Sequence, residues 1–276
     1  MVRYYKKSLG QHFLIDKNIA EKIVRLAKIS KNDIVWEIGP GQGILTEKLL
    51  KKCNKLIAFE IDKKWYKFLK YKLSEPNFEL INMDILDVDF SKYVDNERIK
   101  IVANLPYQIT SPIIFKFIDN RELFSSITIM IQYEVADRII ARPSCKDYGR
   151  LSIKSQFYFK ISKLFRVPPH LFKPKPKVVS AVIQMVPKKK LQKIDNEKLL
   201  WKIVDVTFQH RRKMLRASLK YFLSDKVLKI LIEKQGLCLT KRPEELSIEE
   251  FINLSNLVEK AQYRANMNLQ NKAKIF

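Results

Sequence analysis

Over residues 17–29, Ile19, Ile23, Leu26 and Ile29 recur at helical spacing, which predicts an amphipathic helix. Short apolar runs then alternate with longer amphipathic segments. Residues 34–38, 56–59, 78–81, 100–103 and 127–131 predict buried strands, and 45–52, 63–73 and 134–141 predict helices. Two more strands are expected at 161–167 and 178–186. Alternation of this kind implies parallel βαβ units wound into one sheet, an α/β fold. The pattern changes at Pro187. Lys188, Lys189 and Lys190 form a charged linker, and the segments beyond it, 198–209, 213–223, 227–234 and 248–260, read as helices. The expected division is an α/β domain over 1–187 and a small all-α domain over 188–276, with a polar tail from Ala261 that frays.

Composition adds a partner to this outline. The 276 residues are 46% hydrophobic, enough for a sizeable core. Lys and Arg number 53 against 29 Asp and Glu, a formal net charge of +24. Such an excess favours a polyanion, because each neutralised phosphate releases condensed counterions. Cys53, Cys145 and Cys238 are far apart and form no CxxC pair or Cys/His cluster, so neither a disulfide framework nor a metal site is expected. The basic start has no apolar stretch for a signal peptide, and no apolar run approaches membrane-spanning length. The expected setting is a reducing one, the cytoplasm. Nothing in the pattern calls for more than a monomer.

Of the chain's six glycines, three fall in Glu37-Ile38-Gly39-Pro40-Gly41-Gln42-Gly43, directly after the first sheet strand. Glycines there let the backbone approach a ligand, and the carboxyl end of that strand is where doubly wound sheets bind nucleotides. Glu60 ends the next strand, placed to accept hydrogen bonds from ribose hydroxyls. The dinucleotide fingerprint needs glycine at position 44, which is Ile44. The spacing ExGxGxG instead fits S-adenosylmethionine (SAM), which carries no pyrophosphate. Asp84, after the third strand, is placed to accept from an adenine amine.

Asn104-Leu105-Pro106-Tyr107 follows the fourth strand and faces the same crevice. The lone pair of an aromatic exocyclic amine is delocalised into its ring, which makes methylation hard. Two acceptors, the Asn104 side-chain oxygen and the Leu105 carbonyl, can hold both amine protons and aim the lone pair at a methyl donor. Pro106 stiffens the turn and Tyr107 is placed to stack on the base. Positioning, rather than a strong base, would supply most of the rate.

With these motifs the chain resembles the KsgA-type ribosomal RNA adenine dimethyltransferases over nearly its whole length. Further matching stretches are Ser8-Leu9-Gly10-Gln11-His12-Phe13-Leu14, Tyr148-Gly149-Arg150-Leu151-Ser152, the run from Pro168 to Val178, and Phe208-Gln209-His210-Arg211-Arg212-Lys213-Met214-Leu215-Arg216. The resemblance implies a seven-stranded Rossmann-like SAM methyltransferase sheet with a helical C-terminal domain. It also implies N6,N6-dimethylation of two adjacent adenosines near the 3′ end of small-subunit ribosomal RNA, linked to ribosome assembly. Carried over by position, His12, Leu14, Gly39, Gly41, Glu60, Asp84 and Asn104 would contact SAM, and Phe172 would stack on the target base opposite Tyr107. One departure is His12, where many members carry asparagine.

Arg211, Arg212, Lys213 and Arg216 make a cationic stripe suited to RNA phosphates, and Arg150 with Lys173, Lys175 and Lys177 is expected to flank the base pocket. Two rivals remain at this level. A large-subunit resistance methyltransferase would share the chemistry, but Leu105 and the Arg211–Lys213 run favour the small subunit. A non-enzymatic assembly factor would not need an intact glycine loop, Glu60 and Asn104.

Overall fold

The computed structural model describes residues 11–94, 97–235 and 239–273. Ser8, Leu9 and Gly10 of the first matching stretch, and Cys238, lie outside the described residues. In chain order the elements are β1 (Phe13–Leu14), α1 (Lys17–Leu26), β2 (Ile34–Ile38), α2 (Thr46–Leu50), β3 (Lys55–Phe59), α3 (Lys63–Lys72), β4 (Phe78–Ile81) and β5 (Ile99–Asn104). Then come α4 (Thr110–Asp119), β6 (Phe124–Gln132), α5 (Tyr133–Ile140), α6 (Arg150–Tyr158), β7 (Phe159–Val167), β8 (Phe172–Lys173) and β9 (Ser180–Pro187). Four helices finish the chain, α7 (Glu197–Gln209), α8 (Leu215–Leu219), α9 (Asp225–Gln235) and α10 (Ile248–Ala273).

Seven strands form one sheet in the order β4-β3-β2-β5-β6-β9-β7. The strands β4, β3, β2, β5 and β6 are parallel, as the alternation implies, and β9 runs antiparallel to both its neighbours. The central strands are buried on both faces, with Val35, Trp36, Ile101, Val102, Ile127 and Ile129 fully enclosed, which is why they read as continuous apolar runs. Trp36 meets Phe59, Phe90 and Phe124 edge to face, locking β2 to its layer. Connections leave β2 towards β3 on one side, while β5 and β6 extend the other. The order therefore reverses between β2 and β5, and that switch point opens a crevice at their carboxyl ends.

The chain divides into two compact units, one running up to Ile140 and resuming over Tyr158–Lys189, the other comprising Ala141–Phe157 and everything from Lys190 on. The inclusion of Ala141–Phe157 in the helical unit differs from the division at residue 188 drawn from the change of pattern at Pro187 and the lysine linker. Its cause is Tyr148, 1% exposed, whose hydroxyl donates to the Leu246 carbonyl at 2.9 Å and whose ring meets Phe208 edge-on. In the same unit Leu200, Ile203, Leu219, Leu231, Phe251 and Val258 are buried.

Two helices escape the sequence pattern. In α4 the third residue is Pro112, which reads as a breaker but is tolerated in a first turn where no intrahelical donor is needed. In α6 Leu151, Ile153 and Phe157 are buried at irregular spacing. The expected fraying from Ala261 is also corrected, since α10 continues to Ala273 with Ala261 and Ala265 buried.

Candidate active site

Gly39, Gly41 and Gly43 all adopt positive φ, +65°, +55° and +83°, a region open to glycine at little cost. Gly39 N donates to the Phe59 carbonyl (2.9 Å), tying the loop to the end of β3. At Gly41 the space is as restrictive as the angle. A Cβ there would lie 2.5 Å from the Phe13 ring.

Phe13 belongs to a strap across the mouth of the crevice. β1 pairs antiparallel with β8, Phe13 opposite Lys173 and Leu14 opposite Phe172. Three further bonds fasten it: Gln11 Nε2 to Asp62 Oδ2 (3.1 Å), His12 Nδ1 to the Pro174 carbonyl (2.8 Å), and Asn104 Nδ2 to the His12 carbonyl (3.0 Å). Because a carbonyl only accepts, Nδ1 of His12 carries a proton.

Beneath the strap is a cavity open to solvent. Its polar wall is built on Glu60, 4% exposed. One carboxylate oxygen accepts from Gly41 N (3.0 Å) and the other from Asp62 N (2.9 Å). Burial pushes this carboxyl above its ordinary range, against the pull of those main-chain donors. Asp84, half-buried, accepts from Leu86 N at 2.9 Å through one oxygen.

The Asn104–Tyr107 turn forms the opposite wall. Leu105 is buried and its N–H donates to the Met130 carbonyl (3.1 Å). The Tyr107 hydroxyl meets Ser180 Oγ at 2.8 Å, and its ring stacks on His12 with centroids 5.4 Å apart. Burial raises the phenol's pKa, opposed by the Ser180 bond, so Tyr107 is neutral here.

The sequence-predicted residues His12, Gly39, Gly41, Glu60, Asp84 and Asn104 all line this one cavity, as do Leu105, Pro106 and Tyr107. Two others do not. Leu14, 3% exposed, borders a smaller adjoining cavity behind the glycine loop. Phe172, also 3% exposed, is packed in the same apolar cluster as Leu14 and pairs with it across β8 and β1. Residues that the sequence reading gave no site role also line the cavity, among them Gln11, Phe13, Ile61, Met83 and Ile85. The last three flank Glu60 and Asp84 in sequence, and that adjacency was the available signal. Glu37, which opens the glycine motif, is 1% exposed with Oε2 unpartnered. Burial first, and the nearby Glu60 charge as well, push its pKa up to about 8.

Of the cations expected at the RNA, Arg150, Arg211, Arg212, Lys213 and Arg216 fall in the second unit and Lys173, Lys175 and Lys177 in the first. Arg211 is braced: its guanidinium pairs with Glu244 and donates to the Cys145 and Lys146 carbonyls. Arg150 lies 3.5 Å from Asp205, with half of its side chain exposed. Arg212, Lys213 and Arg216 are exposed. Among the described residues no cluster of His, Cys, Asp and Glu can hold a metal ion, and no helix is long and apolar enough to cross a membrane.

Residues 2–260 match the family model for ribosomal RNA adenine dimethylase. The ribosomal RNA small subunit methyltransferase A of Caldanaerobacter subterraneus subsp. tengcongensis is 43% identical over 258 residues, covering 91% of this chain and 96% of the relative. The protein of that description from Clostridium perfringens is 42% identical over 263 residues, 93% of this chain and 91% of its own. Among solved structures, a dimethyladenosine transferase from Plasmodium falciparum superposes with a TM-score of 0.75 at 29% identity, over 91% of this chain and 98% of that one. The 23S rRNA methyltransferase ErmE superposes with a TM-score of 0.67 at 25% identity, over 90% and 99% respectively.

Proposed function

The chain belongs to the ribosomal RNA adenine dimethylase family, and from that premise we propose that it uses SAM to convert two adjacent adenosines near the 3′ end of small-subunit ribosomal RNA to N6,N6-dimethyladenosine. It would act as a monomer in the cytoplasm, on small subunits under assembly. The curated relatives named for the small subunit support that choice of substrate.

The pocket suits SAM on its own chemistry. A glycine cradle that a Cβ would fill sits beside a buried carboxylate, with apolar Ile61 and Met83 at the rim. When bound, SAM supplies a methyl group on a positively charged sulfur. Each Glu60 oxygen takes one main-chain N–H and keeps lone-pair capacity for ribose hydroxyls. Asp84 has one oxygen engaged by Leu86 N, and its other oxygen is the acceptor offered to an adenine amine.

The observation that carries the reading is the orientation of Asn104. Its amide nitrogen donates to the His12 carbonyl, so Oδ1 is the end left to accept from the target amine. With the Leu105 carbonyl taking the second proton, the amine nitrogen is drawn out of conjugation and its lone pair is directed. Tyr107 offers a ring fixed at its hydroxyl by Ser180 and at its face by His12, which limits the entropy lost when a base stacks on it. Positioning in a near-attack arrangement then supplies the rate without a strong base.

The test is methyl transfer from labelled SAM to unmethylated small subunits, with large subunits and naked RNA as controls, followed by mass spectrometry of the digested adenosines. Dimethyladenosine only with small subunits is the expected result. Product on large subunits, or no product on any substrate, overturns the assignment.

A further inference from the structure

His210, in the turn between α7 and α8, and Tyr221, just after α8, form an aromatic pair that the catalytic reading does not use. Tyr221 is 61% exposed. A single exposed tyrosine needs no explanation, but this one is held at two points. Its ring stacks on His210, with centroids 4.1 Å apart and planes 23° from parallel. Its hydroxyl receives a hydrogen bond from Lys213 Nζ at 2.7 Å. An exposed side chain that is already immobile gives up little rotamer entropy when something lies on it.

The surroundings say what that partner is. His210 and Lys213 both line an open groove, together with the cations Lys146, Arg211 and Arg212. Arg211 is committed to Glu244 and two carbonyls, and Glu244 is the acidic residue in the groove's lining. Its charge is thereby paired, which leaves exposed Lys146, Arg212 and Lys213 as the cations facing solvent. An aromatic face whose backing ring and hydroxyl partner both line a cationic groove offers the chemistry that grips single-stranded nucleic acid, stacking for the base and charge for the flanking phosphates. An acidic peptide would use the charges and gain little from the ring.

We propose that Tyr221, backed by His210, is a stacking pad for one unpaired base of the RNA substrate, with Arg212, Lys213 and Lys146 holding the adjacent phosphates. The pad rests on the reading of this chain as an RNA-modifying enzyme, and it adds a second base contact in the helical unit, apart from the base that is methylated. Because stacking tolerates any base, the pad gives affinity and register rather than sequence choice.

The full-length protein is titrated with unmethylated small subunits and with a short oligoadenylate carrying one 2-aminopurine, over a series of salt concentrations. Tyr221→Ala is expected to weaken binding roughly five- to a hundredfold at fixed salt, the loss of one stacked base, with the salt slope and the melting temperature unchanged. Tyr221→Phe keeps the ring and should bind within about twofold of wild type. Arg212→Glu should behave differently, reducing the salt slope by about 0.7 or more on the single strand. In a Tyr107→Ala background, which removes the active-site ring, 2-aminopurine fluorescence should still be quenched, and adding Tyr221→Ala should relieve that quenching. Unchanged affinity and quenching in Tyr221→Ala would sink the pad while leaving the enzyme assignment intact. A Tyr221→Ala loss that comes with a reduced salt slope would also overturn it, by showing that Tyr221 serves only to place Lys213. If the wild type binds neither RNA nor small subunits, the RNA reading falls and the pad with it.

Discussion

Glu37 stands fully buried at the head of the glycine loop with one oxygen unpartnered, and its pKa is pushed up to about 8. In the unfolded chain it titrates near 4.5. Between those values the folded state holds the extra proton, so stability is full below about pH 4.5 and is lost as pH rises towards 8. Glu60 is shifted in the same direction and adds to the trend. Glu37→Gln removes the larger part of it. Melting curves should show the variant gaining on wild type as pH rises from 5 to 9, by an amount on the order of a few kcal/mol. A difference that stays constant with pH would mean that Glu37 is ionised in the fold. Gly41→Ala combines a positive φ of +55° with a Cβ driven into Phe13. Backbone strain alone costs roughly 1–3 kcal/mol, and displacement of Phe13 disturbs the strap, so calorimetry should show SAM affinity falling at least tenfold. Asn104→Ala leaves the backbone as it is but removes both the acceptor and the bond to His12. Methylation should be abolished, with RNA binding by filter retention largely kept.

At the scale of elements, the parts that repeat locally were legible and the parts that meet only in three dimensions were not. The parallel strands were read within a few residues because each is a short apolar run, and those inside the sheet are buried on both faces. The glycine loop and the Asn104–Tyr107 turn were equally plain, since each is continuous in sequence and follows a strand. The strap was invisible. Strands of two residues have no period to detect, and His12 reaches Pro174 across 162 residues. For the same reason, the pairing of Phe172 with Leu14 within an apolar cluster was not visible in the sequence, where the resemblance implied only that Phe172 stacks on the target base. The antiparallel placement of β9 between β6 and β7 likewise follows from packing, not from any local pattern. Phe172→Ala tests the packing role. As a core truncation it should cost about 3–5 kcal/mol and, by loosening β1 on β8, should weaken SAM binding as well as stability. A variant that melts like wild type but fails to bind RNA would favour the stacking role that the resemblance implied.

For the molecule as a whole, the charge excess of +24 is a poor guide to which cations touch RNA, because folding engages some of them internally. Arg211 and Arg212 are neighbours in one motif and share a charge, yet Arg211 is a brace within the helical unit and Arg212 is exposed. Their substitutions should therefore separate on two axes. Arg211→Ala leaves Glu244 unpaired and two carbonyls without that donor, which should lower stability by about 1–3 kcal/mol. Its effect on RNA affinity should track the unfolded fraction and leave the salt slope of the folded protein unaltered. Arg212→Ala should melt within about 0.5 kcal/mol of wild type, as an exposed position does. It should also reduce the slope of log K against log salt by about one unit for each phosphate it no longer neutralises. Melting curves and salt titrations on the same two proteins decide the matter. If the two variants change the salt slope equally, with equal stabilities, the motif acts as a single cationic stripe and the bonds from Arg211 to Glu244 and the two carbonyls are not what holds this unit together.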